Sequence, residues 1–344
     1  MTTEILRSDV VIIGAGPVGL FAVFECGMLD MNCHVFDALD VAGGQCMALY
    51  PEKPIFDIPG YPRILAAELV ARLTEQAAPF KPVYHLGQQV VGLAPQDGGR
   101  WLIESGGGVL VDAAAIVVAA GVGAFGPNRP PLEGIERFEG KPAGRGVQYL
   151  VTRREDYRGR RVVIAGGGDS AVDWALSLAE VAAHVAVVHR RAKFRAAPES
   201  ARQLQTLADR GAVELVIPYQ LHALEGDDGD LHTVVVTDLD GHQRRLAADV
   251  LLPFFGLSQN LGPIADWSLN LHRHTIAVDP ATCAAGRDGI FAIGDIVTYP
   301  GKLKLILSGF AEAAAAAHAI FPLVHPGEAL HFEYSTTKGV PGRA

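Results

Sequence analysis

Residues Asp9 to Leu29 read "DVVIIGAGPVGLFAVFECGML". Four apolar residues, Val10 to Ile13, predict a buried strand. The turn Gly14-x-Gly16-x-x-Gly19 follows, and then an apolar run suited to a helix. In such a strand–turn–helix unit Gly14 permits the tight turn, and Gly16, beside Pro17, lets the backbone approach a pyrophosphate. Gly19 lets helix and strand pack closely. The helix N-terminus adds amides and a dipole that favour phosphates. The next strand, "NCHVFDA", ends on Asp37, 18 residues after Gly19. A carboxylate there is placed to accept hydrogen bonds from both hydroxyls of an adenosine ribose.

The pattern returns in "RRVVIAGGGDSAVDWALSLAEVAAHVAVVHRRAKFR", residues 160–195. A strand, Val162 to Ala165, leads into Gly166-x-Gly168-x-x-Ala171 and a helix opening on Asp169 and Ser170. The strand after it, Val185 to Val188, ends on His189, Arg190 and Arg191, with Arg195 close behind. An acid at this position favours an unphosphorylated ribose, whereas arginines clamp a 2′-phosphate with charge-assisted, often bidentate bonds. Arginines can also form a plain exposed basic face; their place at a nucleotide-binding strand end favours the clamp. The first site therefore suits FAD and the second NADPH, which implies two cofactors and an electron relay.

A third segment, "DGIFAIGDIVTYPGKLKLILSGFAEAAAAAHAI", holds a short strand, Gly289 to Ile293, that runs into Gly294-Asp295. Asp295 is suited to the ribityl or pyrophosphate region of FAD, and the following helix N-terminus to the flavin's electron-rich edge. The FAD domain would then be discontinuous. The expected architecture is α/β, with two Rossmann-like nucleotide-binding domains of the three-layer ββα type. Residues 1–120 and 256–344 would form the FAD domain, including a tail over 328–344, and 121–255 the inserted NADPH domain. Glycines near both crossings would permit domain rotation.

Bulk properties agree with this reading. With 39 glycines in 344 residues and 49% hydrophobic residues, the chain suits a turn-rich α/β protein large enough for two cores. A net charge of −9 disfavours nucleic acid, and an acidic protein partner would need a local basic patch. The four cysteines, Cys26, Cys33, Cys46 and Cys283, show no metal-ligand pairing or disulfide framework, and no metal site is expected. The opening "MTTEILRSDV" lacks an apolar signal region, so a cytoplasmic protein with no membrane partner is expected.

The order "GAGPVGL…GGQ…YPEKPIFDIPGYP…GGGDSAVDWAL…HRRAKFRA…GIFAIGDI" resembles the thioredoxin reductase-like flavoproteins along nearly the whole chain. Within them it is most similar to the bacterial ferredoxin–NADP reductases of that type. Thioredoxin reductases place a Cys-x-x-Cys shortly before the second glycine motif. Here "GVQYLVTRREDYRGRRVVIAGGG" has no cysteine, whereas "ALYPEKPIFDIPGYP", "GDIVTYPGKLKLILSGFAEA" and the extra tail "HFEYSTTKGVPG" follow the ferredoxin reductases.

The resemblance implies roles residue by residue. Asp37 would bind the FAD ribose, Gln45 and Tyr50 would line the flavin with Tyr50 stacked on one face, and Val90 would contact the adenine. Phe125 would help close over FAD, Asp295 would bind the ribityl side, Tyr334 would cover the other flavin face and Thr336 would lie near the ring's polar edge. Hydride would pass from NADPH to flavin N5 and leave as single electrons to ferredoxin or flavodoxin, in a homodimer whose tail reaches the partner's flavin. No acid or base residue is required. Cys46 becomes an inert buried thiol.

The competing readings are a thioredoxin reductase-like disulfide reductase, which lacks its dithiol here, an NADPH oxidase, and a non-enzymatic flavin sensor. The sensor has no need of the arginine cluster. Arg153, Arg154, Arg158, Arg160 and Arg161, with Lys302 and Lys304, are candidates for docking an acidic partner, or equally a solvated face.

Overall fold

The structure, a computed structural model, describes residues 4–330 together with 339–340. The chain separates into two compact units, Met1–Phe125 with Gln259–Ala344, and Gly126–Ser258. It passes between them in two short strands, Ala124–Pro127 and Leu257–Asn260.

The first segment of unit 1 supplies β1 (Ile5–Ile13), α1 (Pro17–Met28), β2 (Cys33–Asp37), a short α2 (Gly44–Ala48), α3 (Ala66–Ala77), β3 (Val83–Leu86), β4 (Val90–Pro95), β5 (Trp101–Ser105) and β6 (Leu110–Val118). Strand β1 begins earlier than its four-residue apolar run suggested, because Ile5 to Ser8 pair with Leu110 to Ala113 on β6. The sheet order is β3-β2-β1-β6-β5-β4, parallel through β6 and antiparallel beyond it.

The apolar run of β1 is continuous because both faces are covered. Val11 and Ile13 join a core with Trp101, Ile103 and Ile290, on the side of the antiparallel strands. Val10 and Ile12 face the helices, among Ala22, Val23 and Cys26 of α1. The result is the expected three-layer arrangement.

Unit 2 repeats the plan with β7 (Gly146–Val147), β8 (Arg161–Ala165), α4 (Asp169–Leu178), β9 (His184–Val188), α5 (Pro198–Asp209), β10 (Glu214–Val216) and β11 (Val250–Pro253). Its parallel sheet runs β7-β11-β8-β9-β10. A three-stranded antiparallel layer, Gln220–Asp227, Asp230–Thr237 and Gln243–Ala247, packs Leu231, Val234, Val236 and Leu246 against Val163, Ala165 and Val188.

The chain then returns to unit 1. There β12 (Ile290–Ala292) adds in parallel to the end of β6, and α6 (Ile306–Val324) lies on the helix side. The alanine-rich run does what small residues allow. Ala313, Ala316 and Ala317 are buried beside Ala22 and Cys26 of α1, where bulkier side chains would hold the helices apart. Among the described helices α6 alone has the length and apolarity of a membrane span. Its inward face nevertheless carries a charged residue, Glu312.

Candidate functional site

In unit 1 the loops after β1, β2 and β12 surround a cavity of about 350 Å³, within the range of small-molecule and cofactor sites. Gly14 takes φ +114, and a Cβ there would come 2.3 Å from the Ala119 carbonyl oxygen; a Cβ on Gly19 would meet the Gly14 oxygen at 1.9 Å. These contacts give the two glycines their backbone reasons. Gly16 is different: a Cβ there would meet nothing within 4 Å, so its open side faces the cavity. Helix α1 starts at Pro17 with no side-chain cap and no acid in its first turn. Its terminal amides are thus left for an anionic ligand.

Asp37 ends β2 in the cavity wall. Its Oδ2 accepts the Ala15 N–H at 2.7 Å and its Oδ1 the Leu39 N–H at 2.9 Å. Burial pushes this carboxyl up, and the two amides pull it partly back. Each oxygen keeps a further lone pair for a hydroxyl donor. The Asp37 carbonyl also accepts the Gln88 N–H at 2.8 Å, which ties the start of β4 to this strand end and brings Val90 into the same wall.

"GGQC" follows directly. The Gly43 N–H donates to the Ala15 carbonyl at 2.8 Å, and left-handed Gly44 lies so near that a Cβ would come 3.2 Å from Gly16 Cα. That close approach brings Gln45, Cys46 and Tyr50 into the cavity lining with Asp295. The Tyr50 hydroxyl and the Cys46 thiol act on one another there. Burial pushes Cys46 up to about 11 and also raises Tyr50, and the Asp295 charge pushes both the same way. Cys46 is therefore a protonated thiol at neutral pH.

The structure brings together two thiols that the sequence reading kept apart: Cys26 and Cys33 meet in the core, and the neighbouring thiol, with burial, raises Cys33 well above the ordinary thiol range. Both lie in the helix-side core and neither lines the cavity.

In unit 2 the turn keeps the same backbone logic, since a Cβ on Gly166 would come 2.6 Å from the Phe254 oxygen while Gly168 is open. Asp169 opens α4, and its carboxylate accepts the Ala197 N–H at 2.9 Å, while Ser170 is exposed. His189 departs from the expected clamp. Its ring is buried, stacked on Phe194 at 5.2 Å, with Nε2 3.3 Å from the Lys193 carbonyl. A Cβ on Gly167 would strike that ring at 2.2 Å. The backbone of His189 continues the strand pairing, with Val216 and Tyr219, and both faces of this sheet are covered, so its ring stays under the loop. Arg190, Arg191 and Arg195 are exposed, and the Arg195 N–H donates to the Gly167 carbonyl at 2.7 Å, folding the arginine loop over the glycine turn.

The docking candidates fare less well. Lys302 is buried against Glu312, its side chain 5% exposed. Arg153 pairs with Asp156, Arg154 with Glu180, Arg158 with Glu155 and Arg161 with Asp249, so most of that positive charge is locally neutralised. Tyr334 and Thr336 lie outside the described residues, and Phe125 is described only as part of its strand.

Sequence reasoning missed Tyr299 and Glu312 and took Lys302 as a docking candidate; the three form one network beneath Gly294. A signal was available. Glu312 falls in phase with Gly309, Ala313, Ala316 and Ile320 on the inward face of α6, where an acid needs a partner.

Residues 8–319 match the family described as pyridine nucleotide-disulphide oxidoreductase. The chain belongs to that family. Relatives named ferredoxin–NADP reductase in Paramagnetospirillum magneticum and Rhodospirillum rubrum are 66% and 62% identical over 335 and 340 residues. They cover 97% and 98% of this chain and 98% and 97% of their own length. Among solved structures, the thioredoxin reductase of Lactococcus lactis superposes with a TM-score of 0.77 at 24% identity, over 92% of this chain and 99% of that one. That of T. acidophilum gives 0.78 at 22%, over 92% and 98%. At such identities the likeness speaks to the fold, which is the two-domain α/β fold of those enzymes.

Proposed function

We infer that the protein is a ferredoxin–NADP reductase, with FAD in the cavity of unit 1 and NADP(H) at the glycine turn of unit 2. One observation carries this reading. The cavity of unit 1 pairs a glycine turn with a carboxylate strand end and holds Cys46 as a protonated thiol, and the segment before the second glycine turn, residues 146–168, where a thioredoxin reductase carries its dithiol, has no cysteine. The names of the close, full-length relatives support the same activity.

Bound FAD supplies the hard chemistry, the exchange between a hydride and single electrons. The chain's own residues bind and orient. Asp37 accepts from the ribose hydroxyls, and the α1 amides and the open side of Gly16 receive the pyrophosphate. Tyr50 and Gln45 form the wall beside the ring, and Tyr50 adds a stacking surface of about 0.5–1.5 kcal/mol. Asp295 closes the opposite loop, and Val90 borders the adenine. Arg190, Arg191 and Arg195 hold the 2′-phosphate of NADP(H), and Asp169, engaged by Ala197, keeps its charge turned to the backbone. Phe125, Tyr334 and Thr336 complete the flavin enclosure, with the tail reaching across a homodimer. Ferredoxin or flavodoxin is the electron partner, in the cytoplasm.

The test compares NADPH oxidation with ferredoxin, with thioredoxin plus a dithiol reporter, and with oxygen alone, in the wild type and in Cys46→Ser. Ferredoxin should support the fastest turnover in both proteins. Thioredoxin-dependent turnover that vanishes in Cys46→Ser would replace this reading with a disulfide reductase.

A further inference from the structure

Beneath the Gly294–Asp295 end of the cavity lies a buried charge pair that the binding roles above do not use. Glu312 on α6 and Lys302 in the preceding loop have side chains only 5% exposed each. The Lys302 ammonium donates to Glu312 Oε1, which also accepts the Tyr299 hydroxyl at 2.7 Å. Glu312 Oε2 accepts the Gly294 N–H at 2.7 Å, and Glu312's main-chain carbonyl accepts from Cys283 Sγ at 3.6 Å. Every polar group of the pair's core is thereby engaged.

Stability alone does not account for such a pair. Removing two charges from water is costly, and well-packed apolar residues of similar volume often serve as well or better. Its position does account for it. The amide that Glu312 fixes belongs to Gly294, which holds a left-handed φ of +81 and lines the cavity together with Asp295. Asp295 in turn is close enough for its charge to act on Cys46 and Tyr50 across the same end. A displaced Gly294 would therefore carry the Asp295 carboxylate with it.

We propose that Lys302 and Glu312 are positioning residues for the flavin: they hold the Gly294–Asp295 turn in place and, as a balanced pair bonded to the cavity wall, set the flavin's reduction potential. This rests on the FAD reading of the cavity. Reduction adds negative charge to a flavin, so a lone buried ammonium nearby favours reduction and a lone carboxylate opposes it. The dry interior screens either charge poorly.

The experiment is potentiometric titration of the flavin in the purified holoprotein, with FAD retention read from its absorbance and folding from thermal melting. Glu312→Gln is measured at mildly acidic pH and Lys302→Met at alkaline pH, so that the remaining partner keeps its charge, each against wild type at the same pH. Glu312→Gln should raise the midpoint potential and Lys302→Met should lower it. Each shift should be about tenfold in the reduced-to-oxidised ratio, or ~30 mV for a two-electron couple. The double variant should fall between the two.

Shifts of the same sign, or none, in variants that retain FAD overturn the proposal, because a merely structural pair moves the melting temperature and leaves the potential. Tyr299→Phe leaves no charge unpaired and folds even if the charge variants do not. It removes one donor from the carboxylate and should lower the potential by a smaller amount, and an unmoved potential there also overturns the proposal. A wild type that binds no FAD overturns the cavity reading itself, a failure distinct from FAD bound without opposed shifts.

Discussion

Gly14 and Gly166 do the same work in the two units. Each has a main-chain carbonyl pressed where a Cβ would go, Ala119 in one and Phe254 in the other, and each is followed two residues on by a glycine with an open side. The strand ends beyond them diverge. After β2, Asp37 turns its carboxylate back onto the amides of Ala15 and Leu39 and stays in the cavity wall. After β9, His189 turns inward under the loop, and three arginines are left exposed. The helix starts differ too, with no acid in the first turn of α1 and Asp169 in that of α4. The comparison teaches a division of labour. On the function proposed above, the glycine turn would meet the pyrophosphate common to all dinucleotides, and the strand end would read what distinguishes one ribose from another.

The strongest way to break the comparison is to block one turn at a time. Gly14→Val should abolish FAD binding and most folded yield, because the new side chain overlaps the backbone at Ala119. Gly166→Val should leave the flavin absorbance intact while NADPH-dependent flavin reduction falls by about a hundredfold or more. Loss of FAD in both variants would show that the two turns are not separate sites.

Next in size is the arginine strand end. Arg190→Gln combined with Arg191→Gln should lower kcat/KM for NADPH by about ten- to a hundredfold, from lost charge-assisted bonds discounted for their exposure. NADH turnover should hardly move, and an unchanged NADPH-to-NADH preference would remove the clamp from the account.

His189 sharpens the picture further. His189→Ala takes away the packing beneath the arginine loop and should cost NADPH about three- to tenfold in KM with little change in kcat. His189→Phe keeps the stack on Phe194 and should recover most of it. Failure of Phe to rescue would mean that the imidazole itself touches the ligand.

The smallest effect concerns His34 and His85, whose ring nitrogens lie 3.0 Å apart on the two strands leading to the Asp37 end. Burial lowers both, and His34 is lowered further by its partner. The folded state therefore binds fewer protons than the unfolded state below the ordinary histidine value of about 6.5. Stability from these groups is complete above that pH and declines as the pH falls through it toward the folded values. The wild type should lose a few degrees of melting temperature between about pH 7.5 and pH 5.5, and His85→Gln should lose less.

Much of this was legible in the sequence because it is written locally. Each glycine turn with its flanking strand and helix is one contiguous stretch, and the residue that ends the next strand follows at a fixed distance. Asp37, Gln45, Tyr50, Val90 and Asp295 all line the one cavity. The antiparallel layers and the pairing of Cys26 with Cys33 were less readable, because α1 and β2 meet only once the sheet exists.

Sequence alone therefore determined the two glycine turns, the opposite charges at their strand ends and the absence of a dithiol before the second turn, since these depend on residue type and spacing within short segments. Tertiary structure decided the rest. It put the His189 ring under the arginine loop, packed on Phe194 and against Gly167, because both faces of that sheet are covered. It took Lys302 out of the surface and paired it with Glu312, because an acid on the buried face of α6 must find a partner once water is excluded. Which charge meets which is settled by packing, and packing has no local signature.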